Sequence, residues 1–329
     1  MNSKSLVESK PLLQVNNLNK HFPVRSSFGR TTGQVKAVNG VSFDIHSGQT
    51  FGLVGESGCG KSTLGRSILR LVEPTSGEAI YEGTDILALS KKDLRSYRQH
   101  MQMVFQDPYT SLDPRKRIGY SIEEPLLIHK KGNKQDRKDK AMSLLRKVGF
   151  NEEHYERFPH EFSGGQRQRL GIAKALALGP KLIICDEPVS ALDVSIQSQV
   201  INLLEEVQEE LGISYLFIAH DLSVVRHIAD RIGVMYLGEM VEQGPAETLF
   251  TDPLHPYTKS LLSAVPIPDP RVKRERVVLS GEIPSPLAPP PGCVFHTRCP
   301  YVMEKCRQVI PLKRLVTPDR EVQCHLYND

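Results

Sequence analysis

The chain has 329 residues, a length that fits about two domains of ~150 residues or one large domain with appendages. With 39% hydrophobic and 24% charged residues it has the balance of an ordinary globular chain, which excludes a peptide hormone, a small disulfide scaffold and wholesale disorder. Forty-two Lys+Arg against 38 Asp+Glu leave a net charge of only +4, too even a mixture for a nucleic-acid footprint, so no nucleic-acid partner is expected.

The charged start Met1 to Lys10 carries no apolar run of about 7–15 residues, so no secretory signal is read there and the chain is expected in the cytosol. Its longest apolar stretches, 182–185 and 215–219, fall short of the ~18 residues a spanning helix needs. Any membrane role must run through a partner. Four of the six cysteines fall in the last 37 residues, at Cys293, Cys299, Cys306 and Cys324, and in a reducing compartment such a group reads as metal ligation before disulfide.

In chain order, short β-like runs come first, at 12–15, 41–45 and 51–54, separated by Asn39-Gly40 and Ser47-Gly48-Gln49 turn signals. From about 91 to 179 the apolar spacing lengthens to helical intervals, as in 141–148 with Gly149 at the C-cap place, and a mainly helical insertion is expected. A strand over 182–185, a helix over 197–211, a strand over 215–219, a helix over 224–231 and a strand over 232–236 then alternate as βαβ units do. The predicted fold is therefore α/β with a mostly parallel sheet. Past Gly244 the texture changes, with ten of the 23 prolines between Thr251 and Gly292. This stretch is predicted to wrap the surface as extended chain. The lysines and arginines of 130–140 are interrupted by Asp136 and Asp139 and read as a solvated helix face.

The chemistry is concentrated in a few places. Gly55, Glu56, Ser57, Gly58, Cys59, Gly60, Lys61 and Ser62 fit G-x-x-x-x-G-K-[ST] at every fixed position, between a predicted strand and a helix that begins near Thr63. Glycines let successive N–H groups face a triphosphate, Lys61 adds a point charge for the β- and γ-phosphates, and Ser62 offers a hydroxyl to Mg²⁺. At 182–187 an apolar strand ends in Asp186 and Glu187. Asp186 suits a metal shell, and Glu187 can polarise a water in line with a γ-phosphate. Ser163, Gly164, Gly165 and Gln166 open a helix with a serine N-cap, a second anion-ready terminus.

Taken together, Phe22, the Gly55–Ser62 loop, Gln106 in Val104-Phe105-Gln106-Asp107-Pro108, Ser163 to Gln166, Asp186-Glu187, the Ser190-Ala191-Leu192-Asp193 turn and His220 resemble an ABC-type ATPase cassette over roughly 12–244. The resemblance implies the ABC-type P-loop fold with a helical subdomain at about 91–179, behind a tail of residues 1–11. It implies that Phe22 stacks on adenine and that Gly55 to Thr63 hold ATP. Ser62, Gln106 and Asp186 would attend Mg²⁺, Glu187 would be the general base, Gln106 would reach the attacking water and His220 would contact the γ-phosphate. Two cassettes would pair head to tail, with the Ser163 loop closing over ATP bound to the opposite cassette and Asp193 in the D-loop. Phe162 departs from the family, which usually has Leu there.

Residues 245–329 resemble the C-terminal extension of oligopeptide and dipeptide importer ATPases, through His255 to Leu262, Ser280 to Pro286 and Gly292-Cys293. That implies the second ATPase subunit of such an importer: a peripheral protein at the cytoplasmic face of the membrane, with a homologous ATPase, two permease subunits and an external peptide-binding protein as partners. Residues Pro108 to Pro125 would dock the permease. Importers of another solute, such as nickel or glutathione, and soluble ABC ATPases acting on nucleic acid or ribosomes are the alternatives. The four cysteines match the count for a [4Fe–4S] cluster and lack the close Cys pair usual for structural zinc. The resemblance also implies a cluster; zinc, recruiting His296 or His325, and four free thiols remain open. Cys59 and Cys185 read as packing residues. The tail lies outside the ATP motifs, so replacing Cys299 is expected to loosen it and leave nucleotide binding intact.

Overall fold

A computed structural model describes residues 10–26, 29–107, 111–265, 279 and 281–328. The strands are β1 (Leu13–Arg25), β2 (Thr31–Ile45), β3 (Thr50–Val54), β4 (Ser76–Tyr81), β5 (Thr84–Asp85), β6 (Met101–Val104), β7 (Leu182–Asp186), β8 (Ser214–Ala219), β9 (Arg231–Tyr236), β10 (Glu239–Pro245), β11 (Lys313–Thr317) and β12 (Arg320–Gln323). The helices are α1 (Lys61–Ile68), α2 (Lys91–Tyr97), α3 (Ile118–Ile128), α4 (Lys134–Lys147), α5 (Gly164–Leu176), α6 (Val194–Leu211), α7 (Leu222–Ile228), α8 (Ala246–Thr251), α9 (Pro256–Ser263) and α10 (Glu304–Gln308). Three short 3-10 turns complete the described elements. No helix among the described residues is long and apolar enough to cross a membrane.

The chain divides into two compact units. The first comprises 1–46, 50–87 and 219–329. Its antiparallel sheet runs β2-β1-β4-β5, with Leu13 opposite both Ile45 and Tyr81. The short runs read at 12–15 and 41–45 are parts of strands 13 and 15 residues long. Register shifts around 15–18, where Asn17 takes φ 47°, break the alternation that would have marked their full length. In the same unit β3 lies parallel to β9, and β10, β12 and β11 follow antiparallel in that order. All five residues of β3 are buried, Thr50 included, as the apolar run from Phe51 to Val54 suits a strand covered on both faces.

The second unit comprises 47–49 and 88–218 and holds β6, β7 and β8 as neighbouring parallel strands. Every residue of β7 and β8 is buried. The helical stretch expected from 91 to 179 contains α2 to α5 but also β6, which pairs Met101 to Val104 with Leu182 to Cys185. Four residues are too few for periodicity to declare a strand. Asn133 and Asp136 start α4 with a reciprocal capping box, and Asp193 starts α6 by accepting from Ile196 N–H.

The predicted extended wrap past Gly244 needs correction. Its first part folds as α8 and α9, the latter opening with Pro256 at its first position, where the missing N–H costs nothing. Residues 266–278 and Ser280 of that stretch, most of the 1–11 tail and the start of the Pro108 to Pro125 segment lie outside the described residues. The end of the chain also returns to the sheet, with Glu242 of β10 opposite Val322 of β12. Leu254, Val322 and Cys324 form a small apolar cluster with Tyr327 against it. Thus the Cys-bearing tail has packing of its own, more than its proline content foretold.

Candidate functional site

In the first unit the chain leaves β3 through Gly55 and enters α1 at Lys61. The turn is possible because Gly55, Gly58 and Gly60 take φ of 153°, 79° and 108°. At Gly60 a Cβ would fall 1.9 Å from the Ala37 carbonyl oxygen, so no side chain fits there. The Lys61 side chain is buried with its ammonium donating to the carbonyls of Gly55 at 2.7 Å and Glu56 at 3.1 Å. Cys59 Sγ lies 3.8 Å from the same nitrogen, and burial raises its thiol pKa, in keeping with a packing role. Ser62 and Thr63 follow in the first turn of α1, half-buried. Phe22 sits on β1, 38% exposed, with Lys20 Nζ 4.6 Å from the ring centre. His220 follows β8 directly and is exposed.

Glu56 is held at three polar groups. Its N–H donates to Tyr257 Oη at 2.9 Å, its carbonyl accepts from Lys61, and its carboxylate receives both Arg298 nitrogens at 2.7 and 3.0 Å. Tyr257 is fully buried against Tyr236 and Phe295, at ring-centre distances of 4.8 and 5.4 Å. Arg298 lies in the same Cys293–Cys299 segment as Phe295, and the Phe295 carbonyl accepts its N–H at 3.0 Å. Sequence reasoning missed Tyr257 and Arg298, because separations of 201 and 242 residues leave no local pattern.

In the second unit, Asp186 ends β7 fully buried and Glu187 follows with φ 46°. A left-handed conformation at a non-glycine residue is uncommon and marks sites where the surroundings dictate side-chain direction. Glu187 N–H donates to the Ile218 carbonyl at 3.0 Å, and Gln106 Nε2 donates to Glu187 Oε2 at 3.2 Å. The two residues read as acting on one water are therefore adjacent. Ser163 N-caps α5: its hydroxyl accepts from Gln166 N–H at 3.4 Å, while Gln166 Oε1 accepts from Ser163 N–H at 2.9 Å. Gly165 must lack a side chain, since a Cβ would come 2.3 Å from Ile196 Cγ2, one turn into α6. The Asp193 carboxyl accepts from Ile196 N–H and Ser195 Oγ, and these bonds hold its pKa below the ordinary carboxylate range. Phe162 is buried edge-on against Phe150, which accounts for an aromatic residue at that place.

Of the tail cysteines, Cys293, Cys306 and Cys324 are buried and Cys299 is half-buried. Burial pushes the Cys293 thiol up to about 12 and Cys324 up to about 11, and raises Cys299. Cys293 feels the other three thiols electrostatically, so the four converge on one region. The backbone amides of Phe295, Tyr301 and Leu326 lower the thiol pKa of Cys293, Cys299 and Cys324, against the larger effect of burial. Among the described residues no group of three or more His, Cys, Asp or Glu is arranged to hold a metal ion. Of the two histidines considered for zinc, His296 bonds the Cys293 carbonyl through Nδ1 and His325 bonds that of Val309 through Nε2, each through one ring nitrogen, as a metal-ligating histidine also does.

A buried lysine over a glycine-bearing loop between strand and helix defines a P-loop nucleotide-binding fold. Residues 38–190 match the ABC transporter family, and residues 241–306 match the oligopeptide/dipeptide transporter C-terminal region. The oligopeptide transport ATP-binding protein AppF of Bacillus subtilis (strain 168) is 56% identical over 321 residues, 96% of this chain and 98% of its own length. The dipeptide transport ATP-binding protein DppF of Escherichia coli (strain K12) is 52% identical over 94% of this chain and 93% of its own. Among solved structures, the ATP-binding cassette MJ0796, dimeric in a post-hydrolysis state with ADP and Pi, aligns with a TM-score of 0.64 at 28% identity, covering 71% of this chain and 98% of that one. The chain belongs to the ABC transporter ATPase family and carries the oligopeptide/dipeptide transporter C-terminal region.

Proposed function

We propose that this chain is the ATP-hydrolysing subunit of a membrane importer for oligopeptides or dipeptides. The observation that carries the reading is near-full-length similarity to proteins named for oligopeptide and dipeptide transport, extending through the C-terminal region. In this reading Phe22 meets adenine, Gly55 to Thr63 take the phosphates, Glu187 accepts a proton from the attacking water, Gln106 orients that water, and His220 contacts the γ-phosphate. The oxygens of Ser62, Gln106 and Asp186 are the hard donors that Mg²⁺ takes. When bound, the ion neutralises phosphate charge; the chain's own residues orient the nucleotide and hold the proton. Two cassettes pair so that Ser163, Gly164, Gly165 and Gln166 of each serve the other's ATP, with Asp193 in the D-loop, the partner being a homologous ATPase. Two permease subunits bring the pair to the cytoplasmic face of the membrane, and an external binding protein supplies peptide. The organisation assigned is 1–11 tail, 12–244 cassette and 245–329 extension.

We further assign a structural [4Fe–4S] cluster to Cys293, Cys299, Cys306 and Cys324. The four thiols match the count for such a group and lie in one region, without being drawn into a ligand arrangement. Zinc is the alternative, and the four cysteines lack the close Cys pair usual for a structural zinc site.

The deciding experiment is uptake of labelled di-, tri- and longer peptides, nickel and glutathione by cells carrying the intact chain or Glu187→Gln. Peptide uptake lost with Glu187→Gln is the expected result. Unchanged peptide uptake with lost nickel or glutathione uptake would replace the substrate assignment.

A further inference from the structure

The three polar groups of Glu56 are each held by a different side chain, and two of the holders lie in the C-terminal region. We propose that Arg298 and Tyr257 are positioning residues for the phosphate loop, through which the C-terminal extension sets the loop's affinity for ATP. The proposal rests on the reading of Gly55 to Ser62 as the ATP phosphate site.

Tyr257 Oη fixes the direction of the Gly55–Glu56 peptide from its N–H side, and Lys61 takes the Gly55 and Glu56 carbonyls. The orientation of that peptide decides where the following amides of the loop point. Arg298 is 8% exposed and forms a two-bond fork with a carboxylate 24% exposed, a geometry that fixes direction as well as distance. Arg298 is itself held, its guanidinium 5.9 Å from the Tyr236 ring centre and its backbone turned by the bond to Phe295. Phe295 packs on Tyr236 at 5.2 Å and on Tyr257, so both holders stand on one aromatic cluster. Glu56 and Cys59 also line a cavity of about 240 Å³ with Tyr236 and with Ile283, Pro284 and Pro286 of the Pro-rich stretch. A loop ordered in advance pays less of the ordering cost when its ligand arrives, and that saving appears as affinity.

The test is equilibrium binding of MgATP to the full chain by titration calorimetry. Tyr257→Phe removes one hydroxyl from a buried ring, and Arg298→Met removes the fork while keeping most of the side-chain volume. Arg298→Met is expected to weaken ATP on the order of tenfold, part of what a hydrogen bond to a charged group is worth, and Tyr257→Phe, which removes a bond between neutral groups, by roughly threefold to tenfold. Arg298→Lys should recover part of the loss, as a point charge without the fork. Glu56→Gln should match Arg298→Met, and the double variant should be no weaker than either, because both remove one interaction. A general loss of structure would give neither the rescue nor this non-additivity. If Arg298→Met does not fold, Tyr257→Phe and Glu56→Gln carry the test. Unchanged affinity in Tyr257→Phe and Glu56→Gln, or fully additive losses, with Lys61→Ala abolishing binding, would overturn the positioning role alone. ATP binding undiminished in Lys61→Ala would overturn the phosphate-site reading and the proposal with it.

Discussion

Glu187→Gln removes a charge and a proton acceptor while leaving the shape of the site almost unaltered. The backbone bond from Glu187 N–H to Ile218 does not involve the side chain, and glutamine still offers a carbonyl oxygen to Gln106 Nε2, now 3.2 Å away. The left-handed backbone at 187 is equally costly for Glu and Gln, so folding stability should change little. On the role proposed for Glu187, what is lost is general-base assistance, worth ~10²–10⁴ in rate, or about 2.7–5.5 kcal/mol of barrier. Glu187→Ala would lose the Gln106 contact as well and should be no more active. The assay is steady-state phosphate release by the membrane complex, alongside ATP titration. The expected result is retained ATP with turnover reduced at least a hundredfold. Turnover within a few-fold of the parent would refute the general-base assignment, and lost ATP binding would place Glu187 in affinity instead of chemistry.

Gly60→Ala should abolish ATP binding in the same titration, because its Cβ would meet the Ala37 carbonyl oxygen at 1.9 Å in a backbone conformation that L-residues avoid. Phe295→Ala opens the aromatic cluster and should cost about 3–5 kcal/mol, read by denaturant unfolding. Buried His255 accepts Tyr257 N–H while neutral, and burial lowers its pKa to about 3 from 6.5. The unfolded chain thus binds the proton that the folded chain excludes, so stability should fall from about pH 6.5 toward 3 at up to ~1.4 kcal/mol per pH unit. Unfolding of His255→Asn should show a shallower slope. The phosphate-release rate of the isolated chain should rise with protein concentration and with the partner ATPase; full activity from a proven monomer would contradict the paired-cassette reading.

The turn from β3 into α1 was legible because its pattern is written in eight consecutive residues, and the same holds for the helix start at Ser163 to Gln166 and for the end of β7 at Asp186. Local spacing determines local backbone, and the backbone determines which groups face a ligand. Strand β6 was hidden because only Met101 and Val104 of its four residues are buried, and its identity comes from pairing with β7. The Pro-rich stretch was misread in part because proline is hostile inside a helix yet welcome at its start, as Pro256 demonstrates. Long β1 and β2 were cut short by bulges that reset the alternation. Nothing local could announce that Glu56 would find Arg298, since both are ordinary charged residues until the fold brings them together.

That contact changes what the cysteines are expected to do. Sequence reasoning treats the tail as self-contained and expects Cys299→Ser to spare nucleotide binding. Yet Cys299 adjoins Arg298, its N–H bonds the His296 carbonyl, and His296 N–H bonds the Cys293 carbonyl. Any change that frees Cys299 frees the turn that carries both Phe295 and Arg298, and so slackens the hold on Glu56. Cys299→Ser should therefore weaken ATP by about the same factor as Arg298→Met, whereas Cys324→Ser, on a separate segment beyond β12, should affect ATP less. Protein prepared without oxygen should be brown, absorb broadly near ~400 nm and carry about four irons. Loss of iron in both variants, with ATP affinity falling chiefly in Cys299→Ser, would join the cluster to the loop through Arg298. Equal and full ATP affinity in both would return the tail to a purely structural role. Stoichiometric zinc without iron would change the metal and leave that linkage standing.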